Sequence, residues 1–191
     1  MAARACKIGR MPDQPVEIVD YDPAWPDTFA GQRDTVTALL GPWLAGPVEH
    51  IGSTSVPGLP GKPVIDMLAP VRSLQAARDA VGALETDGWL SWPDDPCRHY
   101  RLWLLRPRPQ ARTHHLHVIE CDDPHAQALI AFRDTLRADP GLRRDYAQLK
   151  KDLARQHAGN RNAYSNAKGG FVERVLCGAG IEPPSRDLLP E

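Results

Sequence analysis

The four cysteines of this 191-residue chain are scattered, and no two of them form a Cys-x-x-Cys pair. A chain of this size without a secretory signal does not need a disulfide framework, which small secreted domains use to supplement a small core. We therefore predict reduced thiols at all four positions, which are Cys6, Cys97, Cys121 and Cys177.

Long apolar runs and a strong net charge are also missing. No run approaches the ~18 apolar residues of a membrane span, and the first 14 residues lack the apolar core of a signal peptide. We therefore expect a cytoplasmic protein. The formal net charge of −1 excludes a global basic field of the kind that supplies non-specific nucleic-acid affinity. The sequence carries no clear nucleic-acid signature and no membrane signature.

The composition is that of an ordinary globular protein, with 42% hydrophobic and 25% charged residues. This length fits one domain with a real core. The 19 prolines are about twice the usual number, and several fall near the C-terminus. We predict a flexible N-terminal tail over residues 1–14, one domain over 15–177 and a flexible C-terminal tail over 178–191.

Hydrophobic periodicity and turn residues predict an α/β (α+β) fold, in which a mixed sheet flanked by helices precedes a C-terminal helical cluster. The predicted strands are 16–19, 48–51, 64–69, 89–92, 99–105 and 114–120. The predicted helices are 23–40, 73–86, 123–138, 142–157 and 160–177. The basic residues of the 142–157 helix, Lys150 among them, are expected on a solvated face. Tyr164 and Lys168, four residues apart, can share the face of the last helix that points at the sheet.

The most informative segment runs from His50 to Leu68. Asp66 lies within an apolar strand, where an ionised carboxylate is costly unless a partner compensates it. The preceding loop combines small residues with exposed N–H groups and Lys62, a set suited to holding a phosphate chain and its metal. We predict phosphate or nucleotide contacts at Gly52, Ser53, Thr54, Ser55 and Lys62. A plain tight turn and a solvated lysine are the alternatives.

A Walker phosphate loop does not fit this segment. Gly58 is only three residues before Gly61, and Lys62 is followed by Pro63, where that loop requires a metal-binding hydroxyl. A Gly-Ser turn followed on the next strand by a carboxylate is instead the pattern with which nucleotidyltransferases hold triphosphate and metal.

His115 and His117 fall on one face of the predicted 114–120 strand, while His114 points the other way. Together with Asp66 they form a candidate metal site, since imidazole favours zinc, manganese or iron over magnesium. The alternative is an exposed polar sheet face. Arg101, at the start of the neighbouring strand, is predicted to offer a guanidinium fork to phosphate, or else to belong to a solvated strand face.

The sequence resembles the GrpB family over about residues 15–177. The resemblance is carried by the opening Tyr21-Asp22-Pro23-Ala24-Trp25-Pro26, the run from His50 to Leu68, and three later motifs in the same order. Those motifs are Thr113-His114-His115-Leu116-His117-Val118, Phe132-Arg133-Asp134 and Tyr164-Ser165-Asn166-Ala167-Lys168. The resemblance implies a nucleotidyltransferase-like fold, sometimes joined to dephospho-CoA kinase, and no established activity.

One position departs from an active nucleotidyltransferase. Such enzymes carry a second carboxylate two residues after the first, and here that residue is Leu68; a histidine, His117, stands where a third acidic ligand is expected. We therefore predict a divergent metal-dependent nucleotidyl or phosphoryl transferase with catalytic Asp66 and His117. Its metal (Mg²⁺ or Mn²⁺, or else Zn²⁺) would be held by Asp66, His115 and His117.

Two other functions stay open. The first is a non-catalytic nucleotide- or metabolite-binding module linked to coenzyme A metabolism, which the missing second carboxylate favours. The second is a metal-dependent hydrolase built on the His-x-His strand. In each case the expected partner is a nucleotide or another phosphate-bearing small molecule, and the acceptor (a small molecule, an RNA end or a protein hydroxyl) is not fixed by the sequence.

Overall fold

The computed structural model describes residues 15–108 and 111–190, and its centre is a five-stranded mixed sheet with the strand order β1-β2-β5-β4-β3. The central pair, β2 and β5, is parallel, and the other neighbours are antiparallel. The strands are β1 (Glu49–Ile51), β2 (Ile65–Val71), β3 (Leu90–Ser91), β4 (Arg101–Arg106) and β5 (His114–Glu120). This mixed α/β architecture confirms the predicted fold class.

Several helices begin at side chains that cap them. Asp123, Asp139 and Asn160 each accept hydrogen bonds from backbone N–H groups of the first turn, which otherwise lack partners. The helices are α1 (Trp25–Leu40), α2 (Leu74–Ala77), α3 (Val81–Thr86), α4 (Pro124–Ala138), α5 (Pro140–Gln156), α6 (Arg161–Ala167) and α7 (Gly169–Gly178). None of these helices is long and apolar enough to cross a bilayer.

The two faces of the sheet are covered differently. On one face, Met67 of β2 and Leu116 of β5 are fully buried against α1 and the α2–α3 region. On the other face, Leu68 and Ile119 pack under Ala126 of α4. Nearer the start of β2 and β5, this second face becomes polar. The helical cluster α5–α7 stands beside that polar area and leaves it accessible from a cavity.

Several predicted elements differ in detail. Residues 16–19 are not a strand, because only Val19 forms a bridge, to Gly61. The helix predicted over 73–86 is divided by a 3₁₀ turn at Arg78–Ala80, and the one over 160–177 is divided at Lys168. Of the four cysteines, Cys97, Cys121 and Cys177 are free thiols, while Cys6 and the predicted 1–14 tail lie outside the described residues.

The predicted C-terminal tail has no helix or strand over residues 181–190. These residues are nevertheless hydrogen-bonded to the domain. The Asn166 side chain donates to the Leu189 carbonyl at 2.9 Å and accepts from the Leu189 N–H at 3.0 Å. Asn162 donates to the Pro190 carbonyl at 2.7 Å. The segment thus lies against α6, and its flexibility stays a prediction.

Candidate functional site

The parallel pairing of β2 with β5 creates the centre of the site. It places Asp66 directly beside His115 and Leu68 beside His117. Asp66 Oδ1 lies 2.9 Å from His115 Nδ1. One ligand atom from each of Asp66, His115 and His117 lies within 4.8 Å of the others. The structure therefore brings together the three side chains that the sequence analysis singled out, while His114 lies on the opposite face, against the Trp89 ring.

The Gly-Ser turn closes on this centre from β1. Gly52 has φ +70° and ψ −171°, a backbone conformation that is essentially restricted to glycine. A Cβ atom at this position would lie 2.4 Å from Asp66 Oδ2. The turn and the carboxylate are thus in van der Waals contact, and Ser53 follows at the cavity wall.

The side chains of Thr54 and Ser55 are not directed into the cavity. Both residues are buried, and their hydroxyls are used within the turn. The Thr54 Oγ1 lies 2.9 Å from His50 Nε2, and the Ser55 hydroxyl donates to the Gly52 carbonyl at 2.6 Å. Of the four small residues predicted to contact phosphate, Gly52 and Ser53 line the cavity, and the next two stabilise the turn.

Arg101 lines the cavity, but its guanidinium is bound to protein groups. It forms a two-point ion pair with the buried Asp95, at 2.6 Å from Nε and 2.8 Å from Nη2. Its Nη1 also lies 3.3 Å from His117 Nδ1. Arginine is only a donor, so Nδ1 must accept this bond, and the proton of the neutral His117 ring then sits on Nε2. Arg101 therefore orients His117 in this structure.

Lys150 reaches the turn from behind. This α5 side chain is 1% exposed, and its ammonium donates to Ser53 Oγ at 2.9 Å and to the Pro60 carbonyl. The expectation that Lys150 belongs to a solvated helix face was wrong. The Tyr146 ring, whose centroid is 4.8 Å from the ammonium, and the two oxygen acceptors explain its position, because a buried ammonium needs such partners.

Two further ammonium groups flank one aromatic ring. Lys62 Nζ lies 5.2 Å and Lys168 Nζ 4.6 Å from the centroid of the buried Tyr164 ring. All three residues line the cavity, as Gly52 and Ser53 do, and the phosphate contact of Lys62 stays a prediction.

The cavity that joins these groups has a volume of about 1380 Å³. The sheet centre forms its floor, α6 and Lys168 form one wall, and Trp92 and Trp103 form another. Residues Ser185, Arg186, Asp187, Leu189 and Pro190 of the C-terminal segment complete the lining. A volume of this size accommodates a nucleotide-sized molecule.

The electrostatics of the centre follow from its burial. Burial alone would raise the pKa of Asp66, but the hydrogen bond from His115 and nearby positive charge hold the pKa well below its usual range. Burial lowers the pKa of His117 to about 3, and the charge of Arg101 acts in the same direction. The centre at neutral pH is thus an ionised carboxylate between two neutral imidazoles.

The GrpB protein family profile matches residues 15–177. This chain belongs to the GrpB family. It is 39% identical to a UPF0157 protein of Pseudomonas aeruginosa, over 86% of this chain and 67% of that protein. The crystal structure of GrpB from Enterococcus faecalis superposes with a TM-score of 0.77 at 31% identity, covering 85% of this chain and 96% of that one.

Some of the similar proteins are longer than this chain. The UPF0157 protein YqkA of Bacillus subtilis is 33% identical, over 85% of this chain and 46% of its own length. A dephospho-CoA kinase of Mycobacterium leprae is 29% identical, over 81% of this chain and 44% of its own length. The chain therefore spans about half the length of these two proteins.

The donor set fits a divalent metal ion. It offers one carboxylate and two imidazoles, and His115 Nε2 is buried without a hydrogen-bond partner among the described residues. Two imidazoles and a carboxylate suit Zn²⁺, Mn²⁺ or Fe²⁺ better than Mg²⁺. Binding through His117 would have to displace either the Nε2 proton or the Arg101 hydrogen bond, which limits the affinity of the site.

Sequence reasoning missed three residues of this site. Asp95 lies in a proline-rich turn without periodicity, so nothing in the sequence indicated that it is 1% exposed or that it pairs with Arg101. Lys150 gave no signal beyond its place in a basic helix. Arg186 lies in the segment predicted as a flexible tail, and only the folded structure shows it at the cavity.

Proposed function

We propose that this chain is a divergent metal-dependent nucleotidyltransferase-like protein that binds a nucleotide, or another phosphate-bearing ligand, at the Asp66 end of the cavity. The observation that carries the proposal is the convergence of Asp66, His115 and His117 ligand atoms to within 4.8 Å of one another. This centre lies in contact with a Gly-Ser turn and opens into a cavity of nucleotide size.

Each residue has a role that its position permits. The backbone N–H groups around Gly52 and the Ser53 hydroxyl bind phosphate oxygens at the turn. The three converging side chains hold the divalent ion, whose chemistry is the Lewis-acid neutralisation of phosphate oxygens. Lys62 offsets negative charge on the phosphates, and Arg101 keeps His117 in position. Phosphoryl-type transfer needs little covalent help, so positioning and electrostatics are sufficient.

A second candidate, the non-catalytic binding module, is favoured by Leu68. Its side chain is fully buried against Ile51 and Ile119, on the face where a second carboxylate would stand. The name of the Mycobacterium leprae relative suggests that such a module assists coenzyme A chemistry. Under this proposal, the same cavity binds a nucleotide or coenzyme A derivative without turnover.

The decisive experiment is calorimetric titration with ATP, CTP, GTP and UTP, with and without Mn²⁺, Mg²⁺ or Zn²⁺. We expect metal-dependent nucleotide binding in the wild type and its loss in Asp66→Asn. The matched control is Asp94→Asn, which removes an exposed carboxylate from the same cavity and should bind as the wild type does. Pyrophosphate release then separates an enzyme from a binding module. Metal-dependent binding that survives Asp66→Asn overturns the ligand role of this carboxylate.

A further inference from the structure

We propose that Lys62 and Lys168 form an oxyanion subsite beside Tyr164 that binds one phosphate group without any metal. This subsite rests on the proposed function for the phosphate contact of Lys62. It goes further because it adds Lys168 and does not depend on the centre formed by Asp66 and the two histidines. Its ligand class is a doubly charged phosphate, either free or at the end of a larger molecule.

The geometry of the subsite is fixed by a buried ring. Tyr164 is 1% exposed, and the two ammonium groups lie 5.2 Å and 4.6 Å from its centroid. The negative face of the ring attracts each ammonium, and all three residues line the cavity. Lys62 comes from the loop before β2, and Lys168 from the junction of α6 and α7. Two distant parts of the chain thus supply one positive charge each.

Neither ammonium has an anionic partner in the described part of the chain. Among the described residues, the only side-chain contact of either ammonium group is with the Tyr164 ring. The nearby carboxylate of Asp66 is already committed, since one oxygen bonds His115 and the other faces Gly52. Lys150 shows the contrast, because its ammonium has two oxygen acceptors. Partly buried cations without counter-charge are costly, and a bound anion removes that cost.

The surroundings increase the demand for an anion. Burial lowers the pKa of Lys62, with the charges of Lys168, Arg161 and Arg112 acting in the same direction and Asp66 against it. Burial likewise lowers the pKa of Lys168 to about 8, with Arg186 and Arg161 acting in the same direction and Asp66 against it. A phosphate dianion matches two ammonium charges, whereas a chloride ion matches only one.

The test is titration of the full chain with inorganic phosphate and diphosphate in EDTA, so that no metal contributes. We expect binding in the wild type, weakened about tenfold or more by Lys62→Met or Lys168→Met. The control is Lys151→Met, which removes an exposed lysine from α5 and should leave the affinity unchanged. Asp66→Asn should bind the anion as well as the wild type or better, because it removes a neighbouring negative charge.

A second measurement uses only the wild-type protein, in case the lysine variants unfold. Saturating diphosphate should protect Lys62 and Lys168 from acetylation, read by mass spectrometry, and leave Lys151 reactive. Absence of phosphate and diphosphate binding in EDTA overturns the subsite. So does full binding in a folded Lys168→Met variant. If Asp66→Asn abolishes metal-dependent nucleotide binding but anion binding in EDTA persists, the subsite binds anions independently of the Asp66 centre.

Discussion

The α-carbon of Gly52 packs directly against the carboxylate of Asp66. A Cβ atom added to the glycine would lie 2.4 Å from Oδ2, closer than any side chain can approach. The contact arises because β1 and β2 pair antiparallel, with Ile51 opposite Asp66. Gly52, which follows Ile51 at the start of the turn, therefore lies next to the Asp66 carboxylate. The glycine is therefore required both for the backbone angle and for the space that the carboxylate occupies.

Gly52→Ala should destabilise the protein by about 2–4 kcal/mol, because it combines a glycine-only backbone angle with displacement of the hydrogen-bonded Asp66. Gly58→Ala is the matched control. Gly58 also has positive φ, at +76°, but its Cβ would meet no atom within 4 Å. We expect a loss of only about 1–2 kcal/mol there. Urea unfolding measures the unfolding free energy of both variants. Equal losses of unfolding free energy would show that the contact with Asp66 is unimportant.

Arg101→Met should cost about 3–5 kcal/mol, since it leaves Asp95 buried without its partner. Asp95 side-chain exposure is 2%, and both of its oxygens bind Arg101. Arg106→Met provides the comparison on the same strand. The Arg106–Asp87 pair has a similar distance of 2.7 Å but 30% exposure of both side chains, so its loss should cost about 1 kcal/mol or less. Similar unfolding free energies for the two variants would contradict a structural role for the buried pair.

The sequence predicted the centre of the site because two local patterns met there. An acidic residue inside an apolar strand and a His-x-His alternation each specify a strand face, and the parallel pairing of two central strands brings those faces together. The register itself, with Asp66 beside His115, was not available from either pattern. The predicted 114–120 strand and the helix after Asp123 agree with the structure for the same reason, since their periodicity and caps are local.

The missing parts of the site depend on contacts between residues distant in sequence. Lys150 lies 97 residues from Ser53, and Arg101 reaches Asp95 across a proline-rich turn whose course no periodicity predicts. Arg186 reaches the cavity through contacts of the C-terminal segment with α6, among them the hydrogen bonds of Asn166 to the backbone of Leu189 and of Arg186 to the Asn166 carbonyl. Such contacts are products of tertiary packing, so composition and spacing cannot reveal them.

The stability of the protein should rise between about pH 7 and pH 10 through Lys150. Burial lowers the pKa of Lys150 to about 7, with the charge of Lys168 in the same direction, against an ordinary value of 10.5. Between these two values the unfolded chain binds a proton that the folded protein does not, so raising the pH favours the folded state. The contribution is up to about 1.4 kcal/mol per pH unit in this window.

Urea unfolding at pH 7, 8, 9 and 10 isolates this contribution when the wild type is compared with Lys150→Met. The variant should show a shallower rise of unfolding free energy with pH. Lys151→Met, which removes the exposed neighbour on the same helix, should keep the wild-type slope. Parallel curves for the wild type and Lys150→Met would mean that the buried ammonium stays protonated throughout.

Gly169→Ala should loosen the C-terminal segment around Arg186 without unfolding the domain. The added Cβ would lie 1.1 Å from Arg186 Nη1, so the guanidinium must leave its hydrogen bond to the Asn166 carbonyl, 3.0 Å from Nη2. Because the displaced atoms end a flexible, exposed side chain, the unfolding free energy should change by no more than about 0.5 kcal/mol.

Amide hydrogen exchange over residues 181–190 should become faster in Gly169→Ala. Gly170→Ala, whose Cβ would meet only Arg174 at 3.7 Å, should leave this exchange unchanged. Identical exchange in the two variants would show that Arg186 does not hold the segment in place.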